Sequence, residues 1–186
     1  MKKCSSEKPI RRSIRIKDYD YSRSGAYFVT ICTQNRKCLL GQIEDGRLLL
    51  SASGEIVRSV WMELPTRFSA VTLDEYVIMP NHIHGILLVG AQFIASNSED
   101  SIANHTCTLG EIIRAYKATV TRLVRTRNDY LTDAGGINPA PTVWFGWQRN
   151  YYEHVIRNDE DLRHIREYIT QNPLKWELDE ENPLKS

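Results

Sequence analysis

The feature of this sequence that most constrains its fold is a pair of short apolar runs separated by Pro80-Asn81. One run is centred on residues 76–79 and the other covers residues 82–89, and both contain β-branched side chains, which favour strands. A proline followed by an asparagine marks a turn or bend. We therefore predict two consecutive strands here, and any fold of this chain must contain a sheet.

The same kinds of pattern predict the other elements: a strand at residues 26–33, a short strand or extended segment at residues 143–147, a hairpin around residues 44–46, and helices at residues 53–64, 109–127 and 158–171. Strand, helix, strand, strand, helix, strand is the order of a ferredoxin-like fold. The predicted fold class is therefore α+β, with a ferredoxin-like antiparallel sheet and helices packed on one face. The hairpin is an insertion and the last helix is a C-terminal addition.

The domain organisation follows from length and charge. A chain of 186 residues with 41% hydrophobic side chains suits one globular core. We predict a flexible basic arm over residues 1–18, a single domain over residues 19–178 and an acidic tail over residues 179–186. Two polar stretches, residues 91–107 and 128–142, are predicted to be loops.

The sequence lacks the patterns of membrane-spanning, secreted, disulfide-rich and zinc-finger proteins. No apolar run approaches the roughly 20 residues of a membrane-spanning helix, and the basic N-terminus lacks the apolar stretch of a signal peptide. The four cysteines form no C-x-x-C pair, which argues against a disulfide scaffold or a zinc finger. A reduced, cytoplasmic protein without membrane contact is expected.

The charge is polarised, although the formal net charge is only +1. Basic side chains crowd the first 17 residues and the predicted helix at residues 109–127, whereas acidic side chains gather at the C-terminal end. A chain of this kind can bind an anionic polymer despite its balanced total. A solvated helix face beside a disordered arm explains the same pattern, so charge alone leaves both interpretations open.

Two histidines are the first candidates for chemistry. His82 and His84 are separated by one residue of a predicted strand, so both imidazoles project from the same face of the sheet. Neutral imidazoles on one face can hold a divalent metal ion at two points. The alternative is that the pair decorates a solvent-facing sheet surface.

A tyrosine on the last predicted helix is the second candidate. Tyr168 and Asn172 are four residues apart and therefore share one face of that helix. Leu162, Ile165 and Ile169 form the apolar stripe, which leaves Tyr168 at its edge, where it can face the sheet. A phenol can form covalent intermediates. The alternative is an aromatic side chain that fills the seam between helix and sheet.

Three blocks of sequence carry a family resemblance: VIMPNHIHG at residues 77–85, WQRNYYEHVIRN at residues 147–158 and YITQNP at residues 168–173. In order and spacing they resemble the single-tyrosine HUH transposases of the IS200-like superfamily, and the REP-associated tyrosine transposases look nearest. The resemblance covers about Tyr27 to Trp176 and implies a ferredoxin-like fold. It implies that His82, His84 and Asn172 hold Mg²⁺ or Mn²⁺, and that the C-terminal helix carries the nucleophile, Tyr168.

The function implied by this resemblance is that of a metal-dependent single-strand DNA endonuclease and strand-transferase with a 5′-phosphotyrosine intermediate. Its implied partner is single-stranded DNA with a hairpin, such as a REP-like palindrome, and a monomer is favoured over a helix-exchanged homodimer. A non-catalytic ferredoxin-like nucleic-acid-binding protein, including a domesticated transposase, remains an alternative. So does a metallo-hydrolase that acts through bound water.

Contacts to DNA are expected from basic and aromatic side chains, which suit phosphates and unpaired bases respectively. The candidates are Arg11, Arg12, Arg15 and Lys17 in the arm, Arg114, Lys117 and Arg122 on the second long helix, and Arg149, Tyr151, His154 and Arg157 in the second block. Trp144, Trp147 and Tyr152 join Tyr151 as candidates for base stacking, although at least two of these four aromatics are expected in the core. Arg149, His154 and Arg157 are equally open to a packing role.

Overall fold

The structure is a computed structural model that describes residues 25–90, 107–133, 144–179 and 182–183, and of residues 128–133 it describes the backbone alone. The strands are β1 (Gly25–Cys32), β2 (Gly41–Glu44), β3 (Arg47–Leu50), β4 (Val71–Ile78), β5 (His82–Val89) and β6 (Tyr152–Ile156). The helices are α1 (Ala52–Met62), α2 (Leu64–Arg67), α3 (Leu109–Asp133) and α4 (Asp159–Gln171). A 3₁₀ segment, Asn172–Leu178, follows α4 directly.

The main sheet has the strand order β4-β5-β1-β6, and every neighbouring pair is antiparallel. With α1 between β1 and β4, and α3 between β5 and β6, this is the ferredoxin-like arrangement that the sequence predicts. The fold class is confirmed. The inserted hairpin is also present, as β2 and β3, and Asp45 and Gly46 both have positive φ angles (50° and 71°) as a type I′ turn requires.

The two faces of the sheet bury different side chains because successive residues of a strand point in opposite directions. Tyr27, Val29 and Ile31 of β1 point into the larger core, which contains the apolar sides of α1 and α3. Phe28 points to the other face, where it packs with residues of β5, β6 and α4, among them Ile169. Helix α4 therefore covers the face opposite to α1 and α3.

The register of the central strands places the histidines on the α4 face. His84 lies opposite Thr30 and His82 lies opposite Cys32 in the β1–β5 pairing. Their even numbering puts them on the same side of β5 as Ile86, which belongs to the cluster beneath α4.

The fourth strand of the sheet was wrongly predicted at residues 143–147. The structure places it at Tyr152–Ile156, where Val155 lies opposite Tyr27 and is buried. Trp147 forms only an isolated bridge with Thr33, and Val143 lies outside the described residues. Both segments have strand-forming composition, and the choice between them is made by pairing with β1, which local propensity does not encode.

Helix α3 extends to Asp133, beyond its predicted end near residue 127. The prediction of a loop over residues 128–133 was wrong. The helix continues through them because the first helix-breaking glycine comes later, at Gly135.

Helix α4 is confirmed together with its cap, because the Asn158 side chain accepts a hydrogen bond of 2.8 Å from Asp161 N. None of the helices in the described part of the chain is both long and apolar enough to cross a membrane.

Candidate active site

The two histidines of β5 form a buried pair. His82 and His84 are 0% and 3% exposed, and their Nε2 atoms are 2.9 Å apart. Burial lowers the pKa of His84 to about 3, and it lowers the pKa of His82 well below its usual value, with a further contribution from the charge of His84. Both rings are therefore neutral at pH 7, which is the form that binds metal ions.

The tautomer of His82 is set by Asn81. The Asn81 amide donates from Nδ2 to the carbonyl oxygen of Arg36 (3.1 Å), and this orients Oδ1 towards His82 Nδ1 (2.8 Å). Because an amide oxygen only accepts, His82 Nδ1 carries the hydrogen and Nε2 presents a lone pair to the other ring. A hydrogen-bonded ring nitrogen opposite a free one is the arrangement typical of a metal-binding histidine.

His84 is supported by Thr30. The Thr30 hydroxyl lies 2.8 Å from His84 Nδ1, and a hydroxyl can either donate to that nitrogen or accept from it. His84 can therefore donate from Nε2 to His82, or present a lone pair there beside that of His82. When both rings present a lone pair, the two Nε2 atoms repel each other at 2.9 Å, and this arrangement becomes favourable when a cation lies between them.

Tyr168 of α4 brings its hydroxyl to the histidine pair. Its hydroxyl is 3.3 Å from His84 Nε2, although the two residues are 84 positions apart. The phenol ring packs against His84 and Phe28, with centroid distances of 5.2 and 6.0 Å. Tyr168 is nevertheless 48% exposed, so a large substrate can approach it.

Helix α4 is anchored on both sides of Tyr168. Ile169 is buried in the small apolar cluster beneath the helix. Arg166 binds the Asp74 carboxylate of β4 with two hydrogen bonds, Nε to Oδ1 (2.8 Å) and a terminal nitrogen to Oδ2 (2.6 Å). The hydrogen bond from Arg166 lowers the pKa of Asp74, so the pair stays charged at neutral pH.

The 3₁₀ segment Asn172–Leu178 closes one end of the cleft. Asn172 is buried, and its Oδ1 atom has no hydrogen-bond partner among the residues that the structure describes. Asp179 follows the segment, and its Oδ2 lies 3.8 Å from His82 Nε2. The cleft has a volume of about 580 Å³ and is lined by Phe28, Thr30, His84, Tyr152, Tyr168, Asn172, Lys175, Leu178 and Asp179.

The donor atoms of this cleft fit a divalent cation. Two neutral imidazole nitrogens, a buried amide oxygen that lacks a partner and a carboxylate form a mixed nitrogen and oxygen set. Ligands that each lie about 2.1 Å from one cation are separated by roughly 3.0 to 4.2 Å. Around His82 Nε2, the separation of 3.8 Å lies within that range and the separation of 2.9 Å is at its lower limit.

Of the residues predicted to contact DNA, Tyr152 lines this cleft, and the others are not among its lining residues or lie outside the described residues. Arg11, Arg12, Arg15 and Lys17 belong to the undescribed N-terminal stretch. Arg114, Arg122, Arg149 and Arg157 are exposed, whereas Lys117, Tyr151 and His154 are partly buried. His154 contacts the Asp161 carboxylate at 2.9 Å, and Tyr151 packs against the larger core.

A second, basic groove lies between α3 and the segment that leads into β6. It is lined by Lys117, Ala118, Thr121, Arg122, Arg125, Thr126, Trp144, Gly146, Trp147 and Gln148. The Arg125 guanidinium lies 5.6 Å from the centre of the Trp144 ring, and Trp144 is 60% exposed. Trp147 is only partly buried and packs against the core, as Tyr151 does, so two of the four candidate stacking aromatics have a packing role.

The sequence interpretation missed several residues of the cleft. Asn81 and Thr30 orient the histidines, Lys175 lines the cleft wall, and Asp179 was assigned to the acidic tail. Only Asn81 had a visible indication, since it directly precedes His82. The others come from strands and segments that meet the histidines through tertiary packing alone.

Comparison with known proteins places the chain in a family. No family model matches it. An uncharacterized protein of Haemophilus influenzae is 39% identical over 178 residues, which cover 91% of this chain and 92% of that protein. A second H. influenzae protein, provisionally named a REP-associated tyrosine transposase, is 26% identical over 157 residues, covering 84% of this chain and 74% of its own length.

A solved structure has the same fold. It is a REP-associated tyrosine transposase bound to a REP hairpin, and it superimposes with a TM-score of 0.52 over 82% of this chain and 68% of that one, at 20% identity. The chain therefore has the fold of this solved transposase and is similar in sequence to a protein provisionally named a transposase. It belongs to the same family as the uncharacterized H. influenzae protein.

Proposed function

We propose that this protein is a metal-dependent single-strand DNA endonuclease and strand-transferase of the HUH type, with Tyr168 as its nucleophile. The observation that carries the proposal is the 3.3 Å distance between the Tyr168 hydroxyl and His84 Nε2 in a cleft that also contains Asn172. A reactive hydroxyl beside a set of metal-ligating atoms suits phosphoryl transfer to a side chain.

His82, His84 and Asn172 are the proposed ligands for Mg²⁺ or Mn²⁺. Their fit rests on the paired Nε2 atoms and on the buried Asn172 Oδ1 that lacks a partner within the described residues. A bound divalent cation supplies Lewis-acid polarisation of a phosphate oxygen. Asn81 and Thr30 hold the imidazoles in position for that role.

The proposed step transfers a DNA phosphate to Tyr168. The phenol oxygen forms a bond to phosphorus and the bond from phosphorus to O3′ breaks, which leaves a 5′-phosphotyrosine and a free 3′-OH. The phenol loses its proton to solvent in the open cleft, and the departing oxygen takes one up. Attack by another 3′-OH reverses the step and rejoins a strand, so no external energy source is needed.

Other side chains of the cleft are placed to position the DNA. Lys175 is on the cleft wall, where its ammonium can contact a phosphate, and it also donates to Gln171 Oε1 at 2.7 Å. Tyr152 is 50% exposed and meets Phe28 edge-on at 6.3 Å. An exposed ring beside the reacting tyrosine offers an unpaired base a surface for stacking.

Single-stranded DNA with a hairpin is the proposed substrate. The REP hairpin held by the structural relative supports this choice, as do the exposed cations and Trp144 of the basic groove. The groove borders α3, whereas the proposed catalytic cleft lies beneath α4 on the other face of the sheet. Exposed Arg149 and Arg157 flank the edge strand β6 and offer further phosphate contacts.

A single chain suffices for the proposed chemistry. Tyr168 meets the histidines of its own chain, so no second copy is required to deliver the nucleophile. This arrangement supports action as a monomer.

The decisive experiment replaces Tyr168 with phenylalanine and uses Tyr152→Phe as the matched control. Each full-length protein is incubated with Mn²⁺ and a library of labelled hairpin oligonucleotides with single-stranded flanks, and covalent products are separated on a denaturing gel. We expect the wild type and Tyr152→Phe to form a covalent species, and Tyr168→Phe to lose it completely while it still binds the hairpins.

Other outcomes would identify another function. A covalent species that persists in Tyr168→Phe would show that another residue is the nucleophile. Cleavage by the wild type without covalent attachment would indicate a metallo-hydrolase that uses water. Binding without either reaction would indicate a non-catalytic nucleic-acid-binding protein.

A further inference from the structure

Asp179 lines the proposed catalytic cleft, and the mechanism proposed above gives it no role. Its side chain is only 6% exposed, and Oδ2 is 3.8 Å from His82 Nε2. Its backbone N–H donates to the carbonyl oxygen of Trp176 at 3.1 Å, which holds the residue at the end of the 3₁₀ segment. Buried carboxylates are generally paired with a positive group or coordinate a metal ion.

The geometry allows Asp179 to share a cation with the histidines. One ligand atom each from His82, His84 and Asp179 lies within 4.8 Å of the other two. No other cluster of three or more histidine, cysteine or acidic side chains in the described part of the chain has this proximity. Two ligand atoms bonded to one ion at about 2.1 Å lie at most about 4.2 Å apart, so a change of roughly half an ångström in these separations brings the three atoms around one ion.

Charge gives Asp179 a role that the other ligands cannot fill. His82, His84 and Asn172 are all neutral donors, so alone they would leave both positive charges of a divalent cation uncompensated. Hard cations such as Mg²⁺ and Mn²⁺ favour carboxylate oxygens. One carboxylate and one DNA phosphate together neutralise the ion, which allows the buried site to accept both cation and substrate.

The chain order makes this ligand part of the nucleophile's own element. Asn172 and Asp179 lie at the two ends of the segment that continues directly from α4, the helix that carries Tyr168. A cation bound by both would tie this segment to the sheet and so restrict Tyr168 to the cleft.

We propose that Asp179 is the anionic ligand of the cation site and that metal binding through it orders the segment after α4. This inference rests on the proposed function, because it assumes that the histidine pair holds a divalent cation. To that function it adds a fourth ligand, which lies outside the three sequence blocks. It also adds a structural effect of metal binding, the ordering of the segment after α4.

The test measures Mn²⁺ binding to the full chain without DNA, by titration calorimetry. Asp179→Asn keeps the size of the side chain and removes its charge, and Glu177→Gln is the matched control because Glu177 is exposed on the same segment. We expect Asp179→Asn to weaken Mn²⁺ binding at least about tenfold, and Glu177→Gln to change it less than about twofold. Circular dichroism without metal checks that both variants are folded, and Asp179→Glu, which retains the charge, should recover part of the affinity.

Hydrogen exchange provides a second readout. Added Mn²⁺ should slow amide exchange over residues 172–179 in the wild type and in Glu177→Gln, but not in Asp179→Asn. The same protection in Asp179→Asn, with unchanged affinity, would overturn the inference.

A third variant separates this inference from the proposed function. If His82→Ala abolishes Mn²⁺ binding while Asp179→Asn leaves it unchanged, the metal site stands and Asp179 is not a ligand. If His82→Ala binds Mn²⁺ as the wild type does, the metal role of the histidine pair itself is wrong.

Discussion

At the scale of single residues, the site depends on side chains that orient the histidines as much as on the histidines themselves. Asn81 selects the tautomer of His82 because its own amide is held by the Arg36 carbonyl. Thr30 can hydrogen-bond His84 Nδ1 in either tautomer of that ring because a hydroxyl both donates and accepts. Such partners restrict the orientation of both imidazoles, and for the proposed metal site this would raise the affinity for the cation.

The Thr30 hydroxyl is therefore predicted to matter for metal binding. Thr30→Val keeps the shape of this buried side chain and removes the hydrogen bond to His84 Nδ1, so the apparent dissociation constant for Mn²⁺ should rise about tenfold. Thr30→Ser retains the hydroxyl and is the control, with near wild-type affinity by titration calorimetry. Equal affinities for the two variants would mean that Thr30 only packs.

At the scale of elements, α4 is the helix whose placement brings the proposed nucleophile, Tyr168, to the histidines. Its apolar stripe sets how deeply the helix is buried, but an apolar contact allows the helix to slide and rotate. The bidentate pair of Arg166 and Asp74 adds a directional contact to β4, two residues from Tyr168.

Loss of this contact is predicted to lower the cleavage rate more than the stability. Arg166 is half exposed, so Arg166→Gln should cost less than about 1 kcal/mol in unfolding free energy. Displacement of Tyr168 would have a larger effect on the proposed reaction, and we expect about a tenfold slower single-turnover formation of the proposed covalent DNA complex. Arg163→Gln, an exposed change on the same helix, is the control. Equal rates for the two variants would contradict a positioning role for Arg166.

At the scale of the whole molecule, the basic groove beside α3 and the cleft beneath α4 lie on opposite faces of the sheet. Lys117 of α3 holds the segment that leads into β6 against this helix. Its ammonium donates to the carbonyl oxygens of Gln148 (2.8 Å) and Asn150 (2.9 Å). Burial lowers the pKa of Lys117 to about 8.

This lowered pKa predicts a pH dependence of stability. Below pH 8 the folded and unfolded chains both carry the proton, so Lys117 adds no pH dependence. Between pH 8 and the unfolded pKa of about 10.5 the unfolded chain binds more protons, and the contribution of Lys117 to the unfolding free energy therefore rises with pH. Denaturant unfolding of wild type and Lys117→Met should show a difference that is constant from pH 6 to 8 and then changes in favour of the wild type. A difference that stays constant up to pH 10 would contradict the prediction.

The sequence by itself determined the α+β class, the shared face of His82 and His84, and the shared helix face of Tyr168 and Asn172. These are consequences of local periodicity, because neighbours along a strand or helix have a fixed geometry. It misplaced the fourth strand, since residues 143–147 and 152–156 have similar propensity and only pairing with β1 distinguishes them.

The tertiary structure alone decided which side chains meet at the site. The meeting of Tyr168 with His84 and the approach of Asp179 to His82 depend on how α4 and its 3₁₀ extension pack on the sheet. Asn81 and Thr30 likewise acquire their roles from the β1–β5 register and the Arg36 carbonyl. Contacts of this kind join residues distant in the chain, and their energies depend on packing and burial that no local pattern of residues contains.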